Sequence, residues 1–161
     1  MAQVDYFLKL DGIEGESTDH KHKNEIQLLS WSWGESNAGS HHWGSGGGTG
    51  KVQMQDFHFV MHTNKASPKL MLACASGEHI KKGKLTTRKA GKEQQEYLVI
   101  DMTDVFVSSY QTGGSDGQLL PTEQISLNFA KIEFDYKEQK DDGSLGASVK
   151  AGWNMKENKK V

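Results

Sequence analysis

The chain has 161 residues, 35% of them hydrophobic, and its 19 basic against 21 acidic side chains leave a net charge of −2. Such a length fits a single domain over residues 1–161, and the charge balance gives no reason to expect nucleic acid or an anionic membrane as partner. One cysteine, Cys74, excludes an internal disulfide and fits folding in a reducing compartment, and no apolar run approaches the roughly 20 residues that span a bilayer.

The opening MAQVDYFLKLDGIEGES carries acids early and lacks the basic-then-apolar order of a signal peptide. The expectation is synthesis in the cytoplasm, with any export following a route that ignores such signals. VDYFLKL (4–10) reads as a strand, STDHKHK as a solvated loop, and NEIQLLSWSWG (24–34) as a second strand. On that strand Trp31 and Trp33 share one face and Ser32 takes the other. In a closed monomeric barrel the tryptophans would be core and Ser32 would meet solvent. In a ring of barrels, Ser32 could instead line a central hole, and composition leaves both readings open.

Residues 35–50 are small and polar around Trp43 and suggest an extended loop or flexible hairpin. Within them GSGGGTGK (44–51) imitates a phosphate-binding loop. The imitation fails: Ser45 stands where the first glycine belongs and Val52 where a metal-binding hydroxyl belongs. KVQMQDFHFVMH (51–62) then alternates as a strand, so no helix dipole would face an anion.

A single helix follows. Ser67 suits the N-cap, Pro68 the first helical position, and Gly77 the stop, with Leu70, Met71, Ala73 and Cys74 at helical spacing. Strands resume at 83–91 and at 96–114, the latter long enough to bend or divide. In 122–139 the apolar set moves from Ile125, Leu127 and Phe129 to Ile132, Phe134 and Tyr136, which predicts a β-bulge near Ala130–Lys131. KDDGSLGAS (140–148) reads as loop and VKAGWNMKE (149–157) as a short last strand. About eight strands with one helix favour a small β-barrel or a tight sandwich.

Catalytic constellations are unpersuasive. His58 and His62 lie four apart, but on a strand and with Phe59 where a zinc-protease helix needs Glu. The pairs His20/His22 and His41/His42 sit in polar loops and read as surface histidines. Cys74 on the apolar stripe of a short helix reads as a buried, inert thiol. No G-x-S-x-G elbow occurs. KKGKLTTRKAGK (81–92) holds six basic residues and no acid, while acids gather at Asp11, Glu14 and Glu16 and at Asp141 and Asp142. This is either a strand edge guarded by lysines or a basic face for the acidic face of an identical neighbour.

Several segments together carry a family resemblance: VDYFLKLDGIEGES, LLSWSWGESNAGS, GKVQMQDF after the glycine run, SPKLMLACASGEH, RKAGKEQQEYL, VSSYQTGGS, LNFAKIEFDY and a late GWN. In that order the chain resembles the haemolysin-coregulated protein (Hcp) family of bacterial type VI secretion, departing at HHW (41–43) and in its lysine-rich tail. The resemblance implies a mainly β fold, a small barrel of two packed antiparallel sheets with one short flanking α-helix. It implies a homohexameric ring, ring stacking into a hollow tube, a contractile sheath, a VgrG-type spike and effector proteins in the lumen. It implies no enzyme activity, no cofactor, no metal, no nucleic acid and no membrane insertion. Location would be cytoplasmic before firing, then the extracellular space or a target cell without a signal peptide. Ser32 matches the family's lumen-facing serine and is the candidate effector contact, while Trp43, Gly46, Gly47, Gly48 and Lys51 are candidates for the ring-stacking loop. A monomeric barrel binding an apolar ligand, and an ATP- or metal-dependent enzyme, remain the alternatives.

Overall fold

A computed structural model describes residues 4–39, 49–89 and 94–161. In chain order the elements are β1 (Val4–Leu10), β2 (Ile26–Leu28), β3 (Ser30–Ser32), β4 (Glu35–Gly39), β5 (Thr49–Met54), β6 (Phe57–His62), α1 (Ser67–Ser76), β7 (His79–Lys89), β8 (Glu96–Gly113), β9 (Thr122–Gln139), β10 (Leu145–Asn154) and β11 (Lys159–Lys160). The protein is mainly β with one helix, as expected, although the expected strands are subdivided. The run 51–62 breaks into β5 and β6, residues 35–50 contribute β4 and the start of β5, and the last long strand begins at Leu145 inside the predicted loop.

Alternation drives the core. In β6, Phe57, Phe59 and Met61 are buried while His58 and His62 are exposed, the period of a half-buried strand. These side chains meet Leu8, Leu70, Leu85, Ile100, Val105, Ile125 and Leu127 in one apolar cluster. β8 and β9, 18 residues each, form the long antiparallel ribbon around which the rest is arranged. On its other edge β9 pairs with β6 over Thr122–Leu127 and with β10 over Lys131–Gln139.

Nine strands form one sheet, and β4–β5 form a separate two-stranded hairpin. The two packed sheets of the expectation are therefore a large folded sheet and a small hairpin, and the ladders do not close into a barrel. β2 pairs with β1, whereas β3 pairs with β6. The circuit is completed by the chain itself at Leu29, whose N–H donates to the Val60 carbonyl at 2.8 Å.

The bulge expected at Ala130–Lys131 is also corrected. Thr103 faces Lys131 and Val105 faces Phe129, so the β8–β9 offset is the same on both sides of Ala130. The register shift lies between Val107 and Ser109 instead. The phase change in β9 is still present, since Ile125, Leu127, Phe129 and Ile132 are all buried. It falls where β9 exchanges β6 for β10 and where the facing Asp104 takes a left-handed φ of 58°.

The helix starts one residue earlier in role than expected. Ala66 occupies the N-cap without a side-chain cap, so Pro68 falls at the second helical position instead of the first, while Gly77 (φ 69°) supplies the expected stop. Leu70 and Ala73 are buried, Cys74 is half-buried at the core margin, and Met71 is exposed. Ser67 serves a different partner: its hydroxyl donates to Glu123 at 2.6 Å. Glu123 is 1% exposed and also accepts from Tyr110 at 2.6 Å and Thr63 at 3.1 Å. Burial pushes its carboxyl upward, but these hydroxyl bonds outweigh burial and hold it below its ordinary value of 4.5. Burial first, and the carboxylate second, push Tyr110 up to about 12.

A second buried polar group corrects the reading of STDHKHK as a solvated loop. His22 is buried, stacked on Phe7 at 4.4 Å, with Nδ1 2.9 Å from Glu25 and Nε2 2.7 Å from Glu96. Arg88 lies over Phe7 at 4.8 Å and donates through both terminal nitrogens to Asp19, with Asp5 at 3.4 Å. Its hydrogen bond holds the Asp19 carboxyl well below the usual carboxylate range. Residues 11–25 are thereby fastened to the sheet. β7, which carries the basic run, is not an edge strand: it pairs with β1 on one side and β8 on the other.

Glu123→Gln replaces an acceptor of three hydroxyls with a group that must also donate, and should cost about 1–3 kcal/mol at neutral pH. Because the native carboxyl is held low, its contribution is present above the ordinary carboxylate range and is lost as pH falls through the native value. Urea titrations should therefore show the gap between wild type and variant narrowing below about pH 4.

Candidate functional site

In an antiparallel ladder, directly opposed residues share a face. Ser32 on β3 opposes His58 on β6, His58 opposes Ser126 on β9, and Ser126 opposes Ser109 on β8. These residues form one row across the sheet. The parallel row is Ser30, Val60, Gln124 and Gln111. Between them Trp31, Phe59, Ile125 and Tyr110 form a row of the opposite parity, which faces the core.

The tryptophans of W-S-W turn toward the core. Trp31 stacks on Phe57 at 5.9 Å and meets Tyr6 edge-on at 6.4 Å, and Trp33 packs toward Phe129 at 6.4 Å. Ser32 and Ser30 are exposed on the outer face. Neither outward row contains a lysine, arginine, aspartate or glutamate, although a quarter of the chain is charged. His58 Nδ1 lies 2.5 Å from Ser126 Oγ, and at one margin of the face Asp56 accepts from Ser108 at 2.6 Å and Asn128 at 2.9 Å. The face is polar, with its hydrogen-bonding groups partly committed to one another. His62 lies on the same side of β6 as His58, but four strand residues separate them by about 13 Å, too far to share one metal ion.

The hairpin defines a second feature. β4 and β5 stand off the large sheet and enclose with β9 and β10 a cleft of 960 Å³. Trp33, Met54, Ile132, Phe134 and Trp153 give it an apolar lining, and Glu35 and Lys51 stand at its polar side. Gly152 lets β10 approach β9 closely, since a Cβ there would lie 2.8 Å from both the Ile132 carbonyl and the Glu133 side chain. Beyond the cleft the apolar lining continues as an exposed strip, for Val149 opposes Tyr136 and Ala151 opposes Phe134.

Of the residues singled out from sequence, Ser32 lies on the polar face and Lys51, exposed on β5, lines the cleft. They belong to different surfaces. Trp43, Gly46, Gly47 and Gly48 lie outside the described residues. Sequence reasoning missed His58 and Ser126 as neighbours of Ser32, because register is set by long-range pairing. It missed the cleft for the same reason, although the exposed parity of Phe134 and Tyr136 was visible in the phase change.

Comparison with known proteins agrees over nearly the whole chain. The family described as "Type VI secretion system effector, Hcp" matches residues 7–136. Protein hcp1 of Pseudomonas aeruginosa is 51% identical over 157 residues, covering 96% of this chain and 97% of that one. The crystal structure of Hcp1 from Salmonella typhimurium superposes with a TM-score of 0.84 at 39% identity, covering 99% of this chain and 100% of that one. A structure described as a type six secretion system protein reaches a TM-score of 0.92 at 32% identity, covering 98% and 99%. With sequence and fold agreeing from end to end, the chain belongs to the Hcp family of the type VI secretion system.

Proposed function

We propose that this Hcp-family chain is the structural subunit of a secretion tube. Copies close into a homohexameric ring, rings stack into a hollow tube within a contractile sheath, and a VgrG-type spike caps it. The protein waits in the cytoplasm and is then delivered outside the cell or into a target cell without a signal peptide. The observation that carries this reading is the outward sheet face on which Ser32, His58 and Ser109 are exposed, with the buried Ser126 hydroxyl held by His58, a face that offers polar groups without formal carboxylate or ammonium charge. In a ring that face lines the hole. A wall of this kind wets readily and binds passing proteins weakly, because an exposed neutral hydrogen bond exchanges with water at little net gain. Effector proteins are the cargo and Ser32 is a contact. The segment from Trp43 to Lys51 contributes to stacking. The function is mechanical and needs no catalytic group or cofactor.

Native mass spectrometry tests the ring. A hexamer is expected, and a lone 17.9 kDa species at high concentration would overturn the reading. Ser32→Arg places a long cation on an exposed position, so folding stability should stay within about 0.5 kcal/mol of wild type. Hexamers should survive while effector co-purification is lost. A variant that cannot form hexamers would place Ser32 in an interface instead. Deleting Trp43 to Lys51 should leave hexamers and abolish tubes in electron micrographs, whereas tubes of normal length would remove that segment from stacking.

A further inference from the structure

The turn between β8 and β9 carries the most exposed large apolar side chain of the described residues. Leu119 is 100% exposed and its neighbour Leu120 51% exposed. They are not on a loose end. The following Pro121 carbonyl accepts from the Thr63 N–H at 3.0 Å, and the Gln118 N–H closes a turn onto Ser115 at 3.1 Å. Gly117, at a φ of 89°, supplies the left-handed turn just before them. The two leucines therefore project from a braced tip that also bears Asp116, for which no ion-pair partner occurs among the described residues.

The hairpin cleft has the complementary chemistry. Its apolar wall of Trp33, Met54, Phe134 and Trp153 is continuous with the exposed strip of Tyr136 and Val149. Its 960 Å³ accommodates two leucine side chains. Lys51 lines it, Lys160 on β11 opposes the lining residue Trp153, and neither cation has an ion pair among the described residues. One carboxylate, Glu35, lies on the same lining and would face Asp116 unfavourably if the tip entered from that side. Entry along β5 and β11 pairs the acid of the tip with the lysines.

Position decides the occupant. His62 opposes Thr122 beside the tip, and Phe57 at the other end of β6 follows the cleft residue Met54. From Thr122 to Phe134 the path along β9 is about 40 Å. Tip and cleft thus lie at opposite ends of the same ladder, so one copy cannot fill its own cleft. A second copy displaced along the ladder can, and a contact of two unlike surfaces propagates head to tail. We infer that the Leu119–Leu120 tip of one copy seats in the hairpin cleft of a second copy in the adjoining ring. This rests on the ring reading above and deepens it, by naming the two surfaces that hold successive rings together.

The double variant Leu119→Ser/Leu120→Ser tests the contact in the full chain. Hexamers by native mass spectrometry should be unchanged, and the protein concentration at which tubes appear in electron micrographs should rise by at least about tenfold, because one weakened contact is repeated around the ring. A second measurement uses Leu119→Cys with Phe134→Cys in a Cys74→Ser background. Mild oxidation should give denatured, disulfide-linked products larger than a hexamer. Products that stop at or below the hexamer in a sample whose micrographs show tubes longer than six rings would place the contact within a ring and overturn the inference, as would tubes forming from the leucine variant at the wild-type concentration. Wild-type protein that never leaves the monomer would instead overturn the ring reading, and this contact with it. Hexamers that stack normally in both leucine-variant and wild-type samples would overturn the contact alone.

Discussion

The structure depends on one change of partner in one strand. β9 pairs with β8 along its whole length but gives its other edge to β6 first and to β10 afterwards. The exchange is accommodated at Ala130, where Met155 donates its N–H to the Ala130 carbonyl at 2.8 Å and the facing Asp104 turns left-handed. Asp104 is held in that conformation from outside by Lys156 at 2.6 Å and His79 at 3.0 Å. Before the exchange β9 belongs to the polar-faced sheet with Ser126. After it, the same strand supplies Ile132 and Phe134 to the cleft. Both strands of the ribbon switch parity in step here, from Val107 and Val105 to Met102 and Ile100 on β8 and from Phe129 to Ile132 on β9, so one strand contributes to both surfaces.

Two buried polar knots hold the remaining segments to this ribbon. Glu123 joins the start of α1 to Tyr110 on β8 and Thr63 after β6, so one carboxylate fixes three elements. At the far side, Arg88 and His22 both pack on Phe7 and draw Asp5, Asp19, Glu25 and Glu96 around them. Apolar packing alone would permit residues 11–25 to slide, since burial is proportional to area and has no direction. Charge-assisted hydrogen bonds have direction, and they specify where that long connection lies.

Much of this was legible in the chain. β1 and β9 have the bounds that alternation indicates, Pro68 and Gly77 bracket the helix, and the even and odd parities of W-S-W assign the tryptophans inward. Local chemistry determines those features. What stayed hidden depends on pairing between distant segments. His22 sits in a polar string and is nevertheless buried, because Glu96 reaches it from 74 residues away. Ser67 looks like a cap and instead serves Glu123, 56 residues on. The phase change in β9 was readable, but its cause was not, because an isolated sequence does not say that a strand trades β6 for β10. The candidate surfaces divide in the same way: Ser32 was identified by motif, while its row-mates His58, Ser126 and Ser109 required the register.

The proposed contacts also have to satisfy opposing demands, and their chemistry is suited to both. A leucine fully buried contributes about 1.5–3 kcal/mol before the cost of ordering the tip and losing translational freedom. Two leucines, about 3–6 kcal/mol together, offset that cost only in part, so a single tip in a single cleft associates more weakly than 1 mM, which needs a net gain of about 4 kcal/mol. On that reading, isolated rings would remain apart at ordinary cellular concentrations. Once one tip is seated, the others around the ring are already aligned, and each adds its increment without paying the full translational cost again. The proposed inner face would work by a different rule. Strong fixed charge there would hold cargo of opposite sign and reject the rest, whereas serine, glutamine and histidine rows hydrogen-bond to many surfaces and bind none of them tightly. On the proposed reading, stacking needs a sharp dependence on number and passage a shallow dependence on identity; apolar tips and a charge-poor wall supply these separately, although both lie at the start of one strand.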